Sequence, residues 1–392
     1  MNYGAIYYVD GTPATDALVR ERFTHMLTAL RDQSWCTPSK FGDDPIEMYG
    51  YQTTDTGGGT DDVDDSMLLR WPSGAPVMVY GAQNRQAWDP APQADRWAWL
   101  LASRVGAGDT PPGMYLDNAS WRIYNTRNPE TGEDNYRHPD YPSDVRDVLQ
   151  LLHDVYGIHT VRNISGDWHE TFEQPGVTLF TENNPDLYGP NPPNPGEWFQ
   201  RIRDAQSAFW LSPGFSRAPS VEQAQLAHLA FYLLVRRADT ILGFSTGWND
   251  ASRPEWMEKS WCPEMDHVEA LGEPTSDPYR RGPAWVRDYE YGWVELTVRS
   301  QWDDPVSMVD YGFAYDDTPP EPDLGDLVEF TGDVRRRLRA AIAEADKAPA
   351  SYARLASVMA EAGLQVDEMP GVLPVNVQAN IDRARAALEA GE

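Results

Sequence analysis

Three short segments end in side chains that can move protons or hold a polyol. Gly113-Met-Tyr-Leu-Asp-Asn118 closes an apolar run on a carboxylate and an amide, and Val177-Thr-Leu-Phe-Thr-Glu182 does the same, with Asn183 following. Ile158-His-Thr-Val-Arg-Asn163 ends in an amide. Cleaving a glycosidic bond takes two carboxyl groups, one protonated to assist the leaving oxygen and one ionised to attack or to activate water. Asp117 and Glu182 are the candidate catalytic pair, with Glu182 as general acid/base and Asp117 as nucleophile or partner base. Asp10, Tyr80, Asn118, Asn163 and Asn183 are candidate sugar ligands, because amides and carboxylates fork onto hydroxyl pairs. Trp121, Trp168 and Trp248 join them, since an indole face covers the C–H face of a sugar ring. Each residue also has a plainer reading. Asp117 can brace a loop, Glu182 can pair with an arginine, Asp10-Gly11 can be a turn, and Trp168 and Trp248 can close a core.

These residues must be delivered by strands. Brief apolar runs bounded by turn signals read as buried parallel strands, at 4–9, 76–80, 113–117, 158–163, 177–182, 207–211 and 239–244. An eighth is expected at 46–52 or 66–70. Helical patterns intervene: one after the Thr12-Pro13 start, in which Leu18, Val19, Phe23, Met26, Leu27 and Leu30 share a face, then 92–105, 144–156, 196–206 and 221–236. Strand alternating with helix from residue 4 to about 250 predicts an α/β fold, a (β/α)8 TIM barrel whose strand C-termini form the mouth. The loop 121–142 is expected to cover that mouth. An open doubly wound sheet competes, but it would carry a Gly-rich phosphate turn after its first strand, and none is present. Gly57-Gly58-Gly59 lies in an acidic loop with no lysine and makes no phosphate cradle.

The expected organisation is a barrel domain over 1–283, a small antiparallel β unit over 284–318, and a linker with a helical tail over 319–392. Leu327, Phe330, Val334, Leu338 and Ile342 form an apolar stripe in that tail. The stripe packs on its own chain or makes an oligomerisation or assembly contact.

At 392 residues with a net charge of -29, the chain lacks the basic surface that nucleic acid or an anionic membrane requires. Of its 32 basic residues only Lys40, Lys259 and Lys347 are lysines. Many acids with few lysines is the composition of proteins from concentrated salt, where screening tolerates self-repulsion. Cys36 and Cys262 have no metal or redox spacing, and the seven His include no pair at metal-ligand spacing. The Asp61–Asp65 cluster lacks the features of a calcium loop and reads as a solvated loop. No cofactor or metal is expected. Met1–Asp10 does not read as a signal peptide, and no apolar run is long enough to insert in a membrane. A halophile cytoplasm, cell surface or virus particle all remain open as locations.

Gly113-Met-Tyr-Leu-Asp117-Asn118 resembles the G-x-x-x-D-N strand of glycoside-hydrolase-like TIM barrels related to the α-galactosidase and endo-α-polygalactosaminidase groups. Arg287-Asp-Tyr289-Glu-Tyr-Gly292-Trp-Val294 is similar to the R-x-F/Y-x-x-G-x-V hairpin that opens the small β-domain after those barrels. Thr297 stands where that domain often has Asn, and Gly312 suits its end. The resemblance covers about residues 76–312. It implies a barrel with a catalytic Asp at 117 and a second acid two strands later, where Glu182 stands. The expected function is hydrolysis of a glycosidic bond in a polysaccharide or surface glycan. The alternative is a non-catalytic carbohydrate-binding or structural component, for example of a haloarchaeal virus tail or cell surface, built on a barrel.

Overall fold

Short runs of β-branched and aromatic residues bury both faces of a strand when helices cover one side and either further helices or a closed interior covers the other. The computed structural model describes residues 1–8, 11–28, 38–41, 46–54, 63–79, 85–105, 111–120, 122–137, 140–165, 168–189, 191–215, 218–244, 252, 254–298 and 309–315. The chain divides into two units, Met1–Pro263 with Val298–Val309, and Glu264–Thr297 with the residues from Asp310 on.

The first unit runs β1 (Asn2–Tyr8), α1 (Pro13–Arg22), β2 (His25–Thr28), α2 (Pro38–Phe41), β3 (Glu47–Thr53), α3 (Ala94–Ala102) and β4 (Gly113–Asp117). A hairpin of β5 (Arg122–Arg127) and β6 (Asp134–Arg137) follows. Then come α4 (Tyr141–Tyr156), β7 (Thr160–Asn163), β8 (Val177–Glu182), α5 (Pro195–Asp204), β9 (Ala208–Ser212), α6 (Val221–Val235), β10 (Ile241–Leu242) and α7 (Pro254–Ser260). Eight parallel strands close in the order β1-β2-β3-β4-β7-β8-β9-β10 and back to β1. This is a (β/α)-type barrel. Between β7 and β8 a single 3-10 turn, Glu170–Phe172, stands where a helix would be.

The helix starts follow from local chemistry. Thr12 accepts from the Thr15 N–H to cap α1, with Pro13 in the first turn where its missing N–H costs nothing. Asn194 and Ser220 cap α5 and α6 in the same way. Among the described residues no helix is long and apolar enough to cross a membrane.

Two strands differ from expectation. Of the expected strand at 76–80, the described residues 76–79 are not in the barrel. Val77 and Val79 are fully buried, but this segment makes isolated antiparallel bridges, Arg70 with Pro76 and Met78 with Gln86, in an excursion between β3 and α3. The missing barrel strand is β2. The apolar spacing of Phe23, Met26 and Leu27 continues that of α1, yet the helix stops at Arg22, Phe23 is extended, and Met26 and Leu27 pair with β1 and β3. Edge closure decides this: without β2, β1 and β3 would leave an open seam of backbone donors. The strand at 47–53, not 66–70, supplies β3.

Ile6, Leu27, Tyr49, Tyr51, Tyr115, Val161, Phe180, Trp210 and Ile241 fill the interior. Aromatic rings dominate it, with Tyr115–Phe180 and Phe180–Trp210 centroids 5.3 and 5.9 Å apart in edge-to-face contact. Room for the Trp210 indole comes from β1 and the end of β10. A Cβ on Gly4 would collide with its ring, and one on Gly243 would meet its Nε1.

The second unit carries a four-stranded sheet in the order β11 (Tyr279–Arg281), β12 (Ala284–Tyr289), β13 (Gly292–Val298) and β14 (Val309–Tyr315). The first three pair antiparallel and bury Ala284, Val286, Tyr289, Val294 and Leu296. The first strand of this sheet begins at Tyr279. The tail from 319 lies outside the described residues.

Candidate active site

Side chains alternate along a strand, so residues two apart share a face. The interior layer contains Tyr115, Val161, Phe180 and Trp210. Two residues on, toward the C-terminal rim, are Asp117, Asn163, Glu182 and Ser212. The pattern that packs the barrel with rings therefore places two acids, an amide and a hydroxyl on its inner face one layer higher. In the closed order β7 lies between β4 and β8, so Asn163 stands between the two acids.

Its amide joins them. Asn163 Nδ2 donates to Asp117 Oδ1 at 2.8 Å and to Glu182 Oε2 at 2.8 Å. Both oxygens lie on one nitrogen, so their separation cannot exceed twice that distance. The amide's orientation is set from its other end, where Oδ1 accepts from the Ser165 N–H at 2.9 Å. Asp117 takes two further donors: the Asn118 N–H on Oδ1 and the Tyr51 hydroxyl on Oδ2, both at 2.8 Å. Asp117 is 9% exposed and Asn163 fully buried, while Glu182 is half-buried.

The chain leaves each strand by a left-handed residue. Asn118, Ser165 and Asn183 have φ of 56°, 47° and 55°. Asparagine visits this region more cheaply than other non-glycine residues, which accounts for an Asn directly after each acid. At Ser165 the Asn163 side chain offsets the cost by accepting the Ser165 N–H.

Two excursions border the β3–β4 side of the rim. One follows β3 and contains 63–79; the other is the β5–β6 hairpin. They meet through a Val79–Thr126 bridge and the rings of Trp71 and Tyr136, 4.9 Å apart. Burial, with the charge of Asp89 as a smaller cause, pushes the Tyr136 phenol up.

The other candidate ligands fall in different places. Asn118 is buried, and its Nδ2 has no hydrogen-bond partner among the described residues. Asn183 is exposed, with its Oδ1 facing the space beside the Gly214 Cα. Trp168 is engaged elsewhere: its Nε1 donates to Glu173 Oε1 at 3.1 Å, and the Arg201 guanidinium lies 5.1 Å from its ring centroid. Asp10, Tyr80, Trp121 and Trp248 lie outside the described residues. Among the described residues no group of three or more His, Cys, Asp or Glu is placed to hold a metal ion. Tyr51 is the residue that sequence reasoning passed over. Its signal was available: it sits two residues before the end of a strand, on the face that carries Tyr49.

No family model and no curated protein matches the sequence. Among solved structures the chain is similar to the glycoside hydrolase domain of PelA from Pseudomonas aeruginosa, at 13% identity and a TM-score of 0.35, over 65% of this chain and 95% of that one. The E218A variant of the same domain aligns at 14% identity and a TM-score of 0.34. The α-N-acetylgalactosaminidase NagBb from Bifidobacterium bifidum, as a quadruple mutant, aligns at 12% identity and a TM-score of 0.44. The alignment covers 80% of this chain and 57% of NagBb. These structural neighbours are glycoside hydrolases.

Proposed function

We propose that the chain hydrolyses a glycosidic bond in a polysaccharide or surface glycan, with Asp117 and Glu182 as its two carboxylates. The observation that carries this reading is the shared amide: one Asn163 nitrogen within 2.8 Å of both acids. The resulting ceiling applies to the two nearer oxygens, and it lies closer to the roughly 5–5.5 Å carboxyl separation of a double displacement than to the roughly 6.5–9.5 Å that leaves room for an inverting water.

The hydrogen bonds divide the roles. Asp117 accepts from Tyr51, Asn118 and Asn163, three donors that favour the ionised form of a nucleophile. Glu182, half-buried, is the acid/base. In the first step Asp117 attacks the anomeric carbon while Glu182 gives its proton to the departing glycosidic oxygen, leaving a glycosyl ester on Asp117. In the second, Glu182 takes a proton from water as that water attacks the same carbon, which releases the sugar and the Asp117 carboxylate. Two inversions give net retention.

The test is a hydrolysis screen in high salt against cell-surface and exopolysaccharide glycans, with product anomers read by NMR. Asp117→Asn stops turnover of every substrate. Glu182→Gln stops it on natural glycans but spares substrates whose leaving group needs no proton. Wild-type activity retained in either variant, with natural glycan as substrate, removes the assignment.

A further inference from the structure

We propose that Arg162, on the outer face of β7, is a positioning residue for Asp117, acting through the turn that follows β4. The proposal rests on the reading of Asp117 as the nucleophile, although the contact it describes is independent of that reading.

Val161 and Asn163 face the barrel interior, so Arg162 between them points outward. It is fully buried there. Among the described residues no carboxylate pairs with it. What it meets are carbonyls and a ring. Nε donates to Ala119 O at 2.7 Å, Nη2 to Pro142 O at 3.2 Å, and the guanidinium carbon lies 4.5 Å from the Phe172 ring centroid. Burial pulls the guanidinium down to about 9 from its usual range, the mark of a cation held where water does not reach. A chain that needed only to fill this space would use an apolar side chain at lower cost.

The two carbonyls explain the choice. Ala119 lies just after β4 and Pro142 in the first turn of α4, so they are the two roots of the β5–β6 excursion. A planar fork with donors in different directions ties them together; an ammonium on a flexible stem does not. The Asn118–Ala119 turn is thereby held from both sides. Thr54 Oγ1 donates to Asn118 O at 3.1 Å, and Arg162 holds the next carbonyl. With both fixed, Asn118 keeps its φ of 56°, and its N–H stays aimed at Asp117 Oδ1. A cation outside the barrel thus sets the direction of a hydrogen bond inside it.

The test uses the full chain labelled with 13C at aspartate carboxyl carbons, the Asp117 signal being identified by its loss in Asp117→Asn. Arg162→Met and Arg162→Lys are titrated beside the wild type, with circular dichroism as the check of folding. Losing the aligned N–H moves the Asp117 midpoint up by about one pH unit in either variant. A midpoint unchanged in a folded variant overturns the proposal. Arg162→Lys keeps the charge and most of the stem, so it decides the matter if Arg162→Met does not fold. Where the wild type hydrolyses a glycan, the same variants lower kcat about 10- to 100-fold with KM changed less than about threefold. A wild type that hydrolyses nothing counts against the glycosidase reading, and the titration still decides the role of Arg162.

Discussion

The Tyr51 hydroxyl donates to Asp117 Oδ2 at 2.8 Å from the strand next door. The register makes this contact: Thr53 pairs with Asp117, so Tyr51 starts one layer lower and its phenol reaches up to the carboxylate. Tyr51→Phe keeps the ring that packs 5.5 Å from Tyr115 and removes only the donor. A hydrogen bond to a charged group is worth about 1.5–3 kcal/mol, or roughly 10- to 100-fold in kcat/KM where it is felt in the transition state. The expected variant melts within a few degrees of wild type and loses about that much activity in the glycan assay. An unchanged kcat/KM removes Tyr51 from the site.

Asn163 presents a sharper case, because its amide is fully used. Nδ2 serves the two acids and Oδ1 serves the Ser165 backbone. The sequence suggested a sugar ligand at this position; the geometry suits a spacer between carboxylates. Asn163→Ala leaves two neighbouring acids without their common donor and raises the energy of having both ionised. The acid limb of the kcat/KM profile is expected to move to higher pH, with kcat reduced at least about 10-fold. A loss confined to KM would restore the ligand reading.

Legibility in the sequence tracked how local each signal was. β4 and β8 could be read because an apolar run broke off on Asp-Asn and Glu-Asn, and the left-handed turn there wants the asparagine. β2 could not, because four residues with Met26 and Leu27 at helical spacing look like more of α1. Only the demand of barrel closure separates the two. Val77-Met78-Val79 misled for the opposite reason: Val77 and Val79 are as buried as barrel residues, but burial does not say which neighbour a strand pairs with. The partnership of Asn163 with both acids needed the strand order, since β5 and β6 are inserted between β4 and β7 without joining the barrel. Arg162 had no legible signal, as its partners are backbone carbonyls.

The fit of Trp210 against Gly4 gives a stability test away from the rim. A methyl group at position 4 would collide with the indole of a residue that is itself fully buried, so either the ring or β1 must shift. Overpacking of this kind costs about 1–3 kcal/mol. Gly4→Ala is expected to lower the urea midpoint with little change in the slope of the transition, and Gly4→Ala with Trp210→Phe to recover part of the loss. Equal midpoints for wild type and Gly4→Ala would mean the wall yields without cost.

Charge sets a second stability prediction. With 61 acidic and 32 basic residues, self-repulsion opposes the folded state at low ionic strength. Added KCl shortens the range of that repulsion from about 10 Å at 0.1 M to about 3 Å at 1 M. The melting temperature is expected to rise by several degrees between those concentrations, with NaCl giving a similar curve. A flat or falling curve would count against a salt-adapted surface.

Buried histidines fix the acid side of stability. His25, at the N-terminal end of the barrel, stacks on Tyr49 and meets Trp210 edge-on. Burial brings it down to about 4, against a smaller upward pull from Glu47 and with a further downward push from His159. Burial lowers His159 as well and brings His228, on α6, to about 4. His25 and His228 stay neutral in the folded chain well below 6.5, near which they would protonate once unfolded, and His159 is displaced in the same direction. The unfolded state therefore binds more protons between these values. Stability from these groups is complete above about pH 6.5 and drains away as pH falls toward 4. Near pH 5, unfolding is expected to take up about two protons through these histidines alone, seen as the slope of unfolding free energy against pH. His25→Gln and His228→Gln should each remove close to one proton from that slope, whatever they do to stability at pH 8. An unchanged slope in both variants would place the acid sensitivity in the carboxylates instead.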